Sequence, residues 1–340
     1  MRRALAAAGL GLASLAGVDA LDRRRIKADP DAPLLFEPPP GGRETHATSA
    51  DGTRLHVETW GSEDAPPVVL VHGWTCALRF WRRQVRDLMD DHFVVAYDLR
   101  GHGRSGSAQG GDWSADALAD DLQAVLEQVV GDRRALIAGH SLGGMTIVAW
   151  AGRHPDQVEQ RATAAALINT GVGDLISESL VVRTPAAFGN ANQLIGSFLL
   201  GVAAPLPPRP DPITHRAIRY VALSPSAGPA AVRFSEQLVL GVNPRVRASH
   251  GREITRLDLR ERAKDLTVPA LVVAGAADKL TPPVHAHRLA ESLPHPRGVV
   301  ELDGCGHMGP LERPGEVTRA LRELGVSRAE AAAVAEGAGA

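Results

Sequence analysis

Six short, predominantly apolar runs recur along this chain of 340 residues, and segments with helical patterning separate most of them. The runs cover residues 68–71, 93–97, 135–138, 164–168, 270–274 and 299–302. A strand that is apolar at every position, rather than at every second one, is buried on both faces, as in a parallel sheet covered by helices. The alternation therefore predicts an α/β fold with a doubly wound, mostly parallel sheet.

Two segments depart from this alternation. Ahead of the first run, Asp51-Gly52 supplies a tight turn between residues 45–49 and 53–60, which predicts an antiparallel hairpin. Between residues 172 and 252, prolines and amphipathic fragments replace the apolar runs, and the stretch is too long for a plain loop, so we predict a helical cap. We divide the chain into an N-terminal apolar segment with a Pro-rich linker (1–42), a first core part (43–171), the cap (172–252), a second core part (253–325) and a low-complexity tail (326–340).

The composition argues against several classes of partner. A net formal charge of −2, with arginines scattered along the chain, gives no electrostatic reason to expect nucleic acid. The two cysteines, Cys76 and Cys305, are too few for a disulfide framework, and free thiols are favoured over a single bridge. The chain contains no C-x-x-C or H-E-x-x-H spacing, so we expect neither a metal nor another cofactor. No pattern indicates an oligomeric state.

The N-terminal apolar segment, residues 4–18, has two interpretations that stay open. It follows Arg2 and Arg3 and precedes small residues at 18–20, as a secretory signal peptide would. Against export, the run is mostly alanine and glycine, and basic residues follow it at 23–25. It is also short for a bilayer span, which needs about 20 residues. A helix that lies on the protein or makes peripheral membrane contact fits as well, so we favour a cytoplasmic or membrane-associated location while export stays open.

The sequence Gly139-His140-Ser141-Leu142-Gly143 lies directly between a predicted strand and a predicted helix. A nucleophile at the carboxyl edge of a sheet requires a very tight strand-to-helix turn, and glycines two residues before and after the serine leave room for that turn. The N-terminus of the following helix adds a positive field and free N–H groups. We therefore predict that Ser141 is a catalytic nucleophile.

A serine needs a general base, and the base needs a carboxylate that orients it. His307 follows the last predicted strand in a glycine-rich loop, and Asp278 follows the strand over residues 270–274, so both belong at the same sheet edge as Ser141. The chain order serine, aspartate, histidine is the one that this kind of turn accompanies. Asp258 and Asp265 are poorer candidates because neither follows a strand. Asp303 is a poorer candidate because it is too close to His307 in sequence.

An oxyanion in the transition state needs two preorganised N–H donors. The backbone amide of Leu142, next to the nucleophile, is the first candidate. The second is the amide of Trp74, in the loop after residues 68–71, where Gly73 lets the backbone turn inward. We expect His72 to support this loop through hydrogen bonds rather than to take part in catalysis.

Five motifs together resemble the α/β-hydrolase superfamily, in particular its small capped bacterial esterases, lipases and cofactor-free perhydrolases. They are HGW at 72–74, DLRGHGRS at 98–105, GHSLGG at 139–144, GAADKLTP at 275–282 and GCGHMGPLERP at 304–314. The resemblance runs from about residue 45 to 324, without the cap. It implies the same triad and the same oxyanion donors. Similar epoxide hydrolases and haloalkane dehalogenases carry aspartate where this chain has Ser141.

These observations predict a serine hydrolase that cleaves carboxylic esters of small or lipid-like apolar substrates through an acyl-enzyme. Two other activities of the same triad stay open, namely cofactor-free perhydrolase or haloperoxidase-type chemistry and C–C bond hydrolysis. An alternative of another class is a non-catalytic module that binds a small ligand in the same pocket.

Overall fold

An eight-stranded sheet forms the centre of the protein. The computed structural model describes residues 23–181, 203, 206 and 211–337, with side chains described as far as residue 325. The strands are β1 (Arg43–Thr48), β2 (Arg54–Trp60), β3 (Pro67–Val71), β4 (Phe93–Tyr97), β5 (Ala135–His140), β6 (Ala162–Ile168), β7 (Ala270–Gly275) and β8 (Pro296–Leu302). Their spatial order is β1-β2-β4-β3-β5-β6-β7-β8, with β2 antiparallel to its neighbours and the strands from β3 to β8 parallel.

Helices cover both faces of this sheet. In chain order they are α1 (Ala32–Phe36), α2 (Arg82–Leu88), α3 (Ala115–Val125), α4 (Leu142–Arg153), α5 (Pro155–Arg161), α6 (Pro212–Ala222), α7 (Pro229–Leu240), α8 (Pro244–Arg256), α9 (Pro283–Ser292), α10 (Gly309–Glu312) and α11 (Pro314–Gly337). Short 3-10 turns lie at Leu78–Trp81, Gln109–Gly111 and Arg262–Asp265, and a π turn at Leu126–Val130 extends α3. The predicted doubly wound α/β fold is therefore confirmed.

The core explains why the central strands are apolar at every position. Alternate residues of β3 enter opposite hydrophobic clusters: Val69 and Val71 pack with α3, α4 and α9, whereas Val68 and Leu70 pack with α2 and α11. All of these side chains are buried, as expected for strands that helices cover on both sides.

Strand β8 begins earlier than the apolar pattern predicts, at Pro296 rather than at residue 299. It is one of the two edge strands of the sheet, and its side chains are exposed except for Val299, which is half-buried, and Leu302, which is buried. An edge strand needs apolar residues on few positions, so a search for uninterrupted apolar runs misses its first half.

Between β6 and β7, the described part of the chain contains the helices α6, α7 and α8, each of which starts with a proline in its first turn. The last of these helices continues to Arg256, four residues past the predicted end of the cap. The division into core and cap stays a prediction. The apolar segment 4–18 lies outside the described residues. Among the helices that are described, none is long and apolar enough to cross a bilayer.

Candidate active site

Ser141 occupies a sharp turn between β5 and α4. Its backbone has φ 52° and ψ −115°, a strained conformation for a residue with a side chain. The two flanking glycines are required by close backbone contacts: a Cβ on Gly139 would lie 2.4 Å from the Gly143 carbonyl oxygen, and a Cβ on Gly143 would lie 2.1 Å from that of Val71. The tight packing of β5, α4 and β3 therefore fixes the position of the serine.

Two hydrogen bonds hold the backbone of Ser141 against the neighbouring strand. Its N–H donates to the Ile168 carbonyl at 2.9 Å, and the Thr170 hydroxyl donates to its carbonyl oxygen at 2.8 Å. Both partners lie at the carboxyl end of β6. Strain at a single residue persists when its surroundings determine its conformation in this way.

The carboxylate of Asp278 and the imidazole of His307 are in direct contact. Nδ1 of His307 lies 2.8 Å from Oδ2 of Asp278, and only 5% of the His307 surface is exposed. The opposite carboxylate oxygen accepts the backbone N–H groups of Leu280 and Thr281 at 2.8 and 3.0 Å. The Thr281 hydroxyl and the Asn169 amide complete the set by donating to Oδ2 at 2.9 and 3.0 Å.

These hydrogen bonds keep Asp278 ionised in a buried position. Burial by itself raises the pKa of this carboxyl group, but the His307 imidazole and the hydrogen bonds from Thr281 and Asn169 outweigh it, so the pKa lies below its ordinary value. A buried carboxylate at Nδ1 fixes the histidine tautomer that leaves Nε2 free to accept a proton.

Ser141 and His307 line the same cavity, which has a volume of about 500 Å³. The loop that carries His307 contacts helix α6, because the backbone N–H of His307 donates to the Ala222 carbonyl at 2.9 Å. The cavity is bounded by the end of β5, the loop after β7 and the helices α6, α7 and α8. The predicted serine and histidine thus open onto one space.

The cavity wall is predominantly apolar. Large aliphatic and thioether side chains dominate it: Met145, Leu175, Ile176, Val181, Leu206, Ile213, Ile218, Val221, Val239, Ile254, Leu280 and Met308. Polar wall groups include Ser179 and Thr214, and the one charged side chain among the described wall residues is Arg247. Such a wall favours an uncharged, apolar group of a ligand.

The predicted oxyanion donors lie beside the serine. A Cβ on Gly73 would lie 3.1 Å from the Ser141 Cβ, so this loop runs directly against the turn at Ser141. In the part of the chain that the structure describes, neither the Trp74 nor the Leu142 amide donates a hydrogen bond to a protein atom. The Trp74 side chain lines the cavity, and its indole N–H donates to the Arg247 carbonyl at 3.0 Å.

His72 lies behind this loop, fully buried and outside the cavity wall. Its Nδ1 donates to the Gly73 carbonyl at 2.8 Å, and its Nε2 accepts the Leu99 amide at 3.0 Å. Burial lowers the pKa of His72 well below its usual value. A neutral imidazole with both nitrogens engaged in this way supports the loop and is not available to transfer a proton.

Sequence reasoning missed two residues that hold the site together. Nε2 of His140 donates to the His307 carbonyl at 2.8 Å, and burial, helped by the His307 imidazole, lowers the pKa of His140 to about 3. Asn169 has φ 47° and donates to Asp278 and to the Gly306 carbonyl. The position of His140 next to the serine, and of Asn169 directly after β6, could have singled them out.

The other polar candidates lie elsewhere. Asp258 forms an exposed ion pair with Arg260, and Asp265 and Asp303 do not line the cavity. Cys76 and Cys305 are buried and free; burial raises the pKa of the Cys76 thiol to about 12 and that of Cys305 further still. Among the described residues, the one group spaced to hold a metal ion is on β1 and β2, outside the cavity wall: Glu44, His56 and Glu58.

Comparisons with known proteins agree with this architecture. Residues 66–314 match the family model described as alpha/beta hydrolase fold. A bifunctional esterase/perhydrolase of Acinetobacter calcoaceticus is 36% identical over 118 residues, which are 34% of this chain and 42% of that protein. Epoxide hydrolase A of Mycobacterium tuberculosis is 28% identical over 326 residues, covering 84% of this chain and 98% of that protein.

Solved structures show the same fold. A thermophilic esterase from Thermogutta terrifontis superposes with a TM-score of 0.66 at 24% identity, covering 83% of this chain and 97% of that one. An enol-lactonase from Burkholderia xenovorans superposes with a TM-score of 0.64 at 25% identity, covering 82% and 99%. Because the family model spans most of the chain, the protein belongs to the α/β-hydrolase family and is a hydrolase.

Proposed function

We propose that this protein is a serine ester hydrolase, with Ser141 as nucleophile, His307 as general base and Asp278 as the residue that orients it. One observation carries the proposal: the imidazole that contacts Asp278 at 2.8 Å opens onto the same cavity as the strained serine turn. Serine at this turn, rather than aspartate, favours an acyl-enzyme over the alkyl-enzyme of the epoxide hydrolases.

The reaction proceeds in two steps. Ser141 Oγ attacks the ester carbonyl carbon while Nε2 of His307 takes its proton, and the amides of Trp74 and Leu142 stabilise the oxyanion. The C–O bond then breaks, and the alcohol leaves with the proton from His307. In the second step His307 takes a proton from water, which attacks the acyl-enzyme and releases the carboxylic acid and free Ser141.

The cavity wall supports an apolar acyl group as the specificity element. Each methylene group that leaves water contributes about 0.8 kcal/mol, or roughly a fourfold gain in binding. A cavity of about 500 Å³ lined by aliphatic side chains has room for a chain of several carbons. We therefore expect kcat/KM to rise with acyl length until the chain fills the cavity.

A panel of p-nitrophenyl esters from acetate to dodecanoate tests this function. We expect the wild type to hydrolyse them with the highest kcat/KM on an ester longer than acetate, and Ser141→Ala to lose about 10⁶-fold in kcat. Ser177→Ala is the matched control, because Ser177 is exposed and its hydroxyl contacts the Asp174 carbonyl. Full activity of Ser141→Ala, or no turnover of any ester by folded wild type, would overturn the proposal.

Peracid formation is a second candidate activity, and the similarity to a protein named bifunctional esterase/perhydrolase favours it. The same acyl-enzyme would react with hydrogen peroxide in place of water and release a peroxycarboxylic acid. This activity is tested by adding hydrogen peroxide to the ester assay and detecting the peracid through its oxidation of a halide to a coloured product. If only the carboxylic acid forms, the proposal of peracid formation is wrong and the proposal of ester hydrolysis is unaffected.

A further inference from the structure

The large apolar side chains that are exposed in this structure are not scattered at random. Among the described residues there are five, and the two most exposed are Ile213 at 77% and Tyr220 at 56%, both on α6. A third, Leu180, donates its backbone N–H to the carbonyl of Lys279, whose ammonium group lies 3.6 Å from the centre of the Tyr220 ring. These side chains therefore form one patch, which we call the α6 patch.

The α6 patch lies at the rim of the catalytic cavity. Ile213 lines the cavity and is also the most exposed large apolar residue of the described part of the chain, so it lies on the rim. Leu180 stands between Ser179 and Val181, which line the cavity, and Lys279 precedes Leu280, which also lines it. A ligand that enters past α6 thus crosses the α6 patch.

Positive charge accompanies these apolar side chains. Arg216 and Arg219 are exposed on α6, and within the described residues neither forms an ion pair with a carboxylate; their guanidinium groups donate to the Pro212 and Pro225 carbonyls. Over the predicted cap, residues 172–252, the sequence has eight arginines and four acidic residues, a net charge of +4, whereas the whole chain has −2. The cap is therefore basic, and the remainder of the chain is acidic.

This combination is typical of a surface that binds a membrane interface. Aliphatic residues insert at the level of the acyl chains, tyrosine prefers the headgroup region, and long basic side chains reach anionic lipid phosphates. A second copy of the chain is a poorer occupant, because a stable dimer buries about 800 Å² on each partner, far more than three exposed side chains provide. The charge also fits an anionic surface and not a like-charged copy.

We propose that the α6 patch docks the protein on an anionic phospholipid surface, with the cavity mouth facing the lipid. Docking itself does not require catalysis. Its consequence, that lipid esters reach Ser141 directly from the bilayer, rests on the proposed ester hydrolase function. The patch is distinct from the N-terminal segment 4–18, which the sequence offers as another membrane contact.

Vesicle co-sedimentation of the full chain carrying Ser141→Ala tests docking without lipid hydrolysis. We expect binding to vesicles of phosphatidylcholine with 30% phosphatidylglycerol, weak binding to pure phosphatidylcholine, and loss of binding in high salt. Adding Arg216→Gln and Arg219→Gln should lower the partition coefficient about thirtyfold, because each basic residue near an anionic surface contributes about 1 kcal/mol. Ile213→Asn with Tyr220→Ser should lower it at least tenfold.

Matched controls separate the patch from general effects of charge and exposure. Arg297→Gln with Arg319→Gln removes the same charge from exposed positions outside the patch, and Val300→Asn changes an exposed apolar residue on β8. Both should bind vesicles as the parent does. Circular dichroism and thermal midpoints of all variants exclude unfolding as the cause of weaker binding.

Each other outcome overturns the proposal. Vesicle binding that the α6 variants do not weaken would assign the contact to the N-terminal segment. If the protein does not bind vesicles but forms a dimer that Ile213→Asn and Tyr220→Ser dissociate, the patch binds a second copy of the chain. If the protein neither binds vesicles nor dimerises, the patch has neither of these occupants. Arg216→Gln with Arg219→Gln, made in the wild type, should keep activity on soluble p-nitrophenyl esters, so failure of docking and failure of ester hydrolysis are distinguishable.

Discussion

Lowering the pH from 7 to 6 should destabilise this protein through four buried histidines. Three of them stand in a row behind the loop that carries Gly73 and Trp74: the ring centres of His72 and His102 are 5.4 Å apart, and those of His102 and His250 are 5.0 Å apart. His140, beside Ser141, is the fourth. Burial lowers the pKa of His102 to about 4 and those of His140 and His250 to about 3, and that of His72 well below 6.5.

The direction of this change in stability follows from the pH at which the unfolded and the folded protein bind protons. In the unfolded chain these histidines take up protons near pH 6.5, whereas in the folded protein they stay neutral until the pH is far lower. Their contribution to stability is therefore complete above pH 6.5 and is lost as the pH falls toward the folded-state values. Between pH 7 and 6 each histidine costs about 0.7 kcal/mol, so the four together cost about 3 kcal/mol.

The same reasoning predicts almost complete acid unfolding at moderate pH. Between pH 7 and 5 the loss reaches about 8 kcal/mol, which is comparable with the whole stability of a typical domain. Burial also lowers the pKa of His285, which adds to the loss, although Glu178 opposes the shift. Buried Asp98 and Asp121, whose pKa values burial raises, act in the opposite direction and oppose part of this loss.

Urea unfolding followed by far-ultraviolet circular dichroism at pH 7.0, 6.5 and 6.0, at constant ionic strength, measures this loss. His102→Gln should reduce the slope of stability against pH by about one quarter, because one of four linked protons is removed. A free energy of unfolding that stays constant or rises between pH 7 and 6 would refute the reasoning, since it would mean that these histidines are protonated in the folded state.

Three further predictions concern the site itself. Asp278→Asn should lower kcat/KM about 10⁴-fold with an unchanged circular dichroism spectrum, the size expected when the group that orients the base is lost; a loss below tenfold would contradict the role. Asn169→Asp places a second carboxylate where the amide now lies 3.0 Å from Asp278, so the acidic limb of the pH–rate profile should move to higher pH. Gly143→Ala should abolish soluble folded protein, because the Cβ would lie 2.1 Å from the Val71 oxygen, whereas Gly315→Ala, with no atom within 4 Å, should be tolerated.

The parts of the fold that strong local constraints determine could be predicted from the sequence. The turn at Ser141 requires glycines on both sides, so its motif is visible in five consecutive residues. Asp278 and His307 follow strands, and parallel strands bring their carboxyl ends to one edge of the sheet. The central strands are buried on both faces, which leaves an uninterrupted apolar signal.

Other features depend on contacts between residues distant in sequence. The hydrogen bond from His140 joins positions 167 residues apart, and that from Asn169 to Asp278 joins positions 109 apart. Their positions, next to the serine and directly after β6, are visible in the sequence, but no local pattern specifies these distant hydrogen-bond partners. The cavity wall has the same origin, because its residues come from α6, α7, α8 and several loops whose amphipathic fragments do not specify how they pack over the sheet.

The identity of the nucleophile is the centre of this account, and covalent trapping tests it most directly. Intact-mass spectrometry after incubation with diethyl p-nitrophenyl phosphate, followed by peptide mapping, should find one diethylphosphoryl group per chain, bound to Ser141. His307→Ala should form this adduct far more slowly. A folded, ester-hydrolysing protein that carries no adduct, or carries it on another residue, would contradict the account.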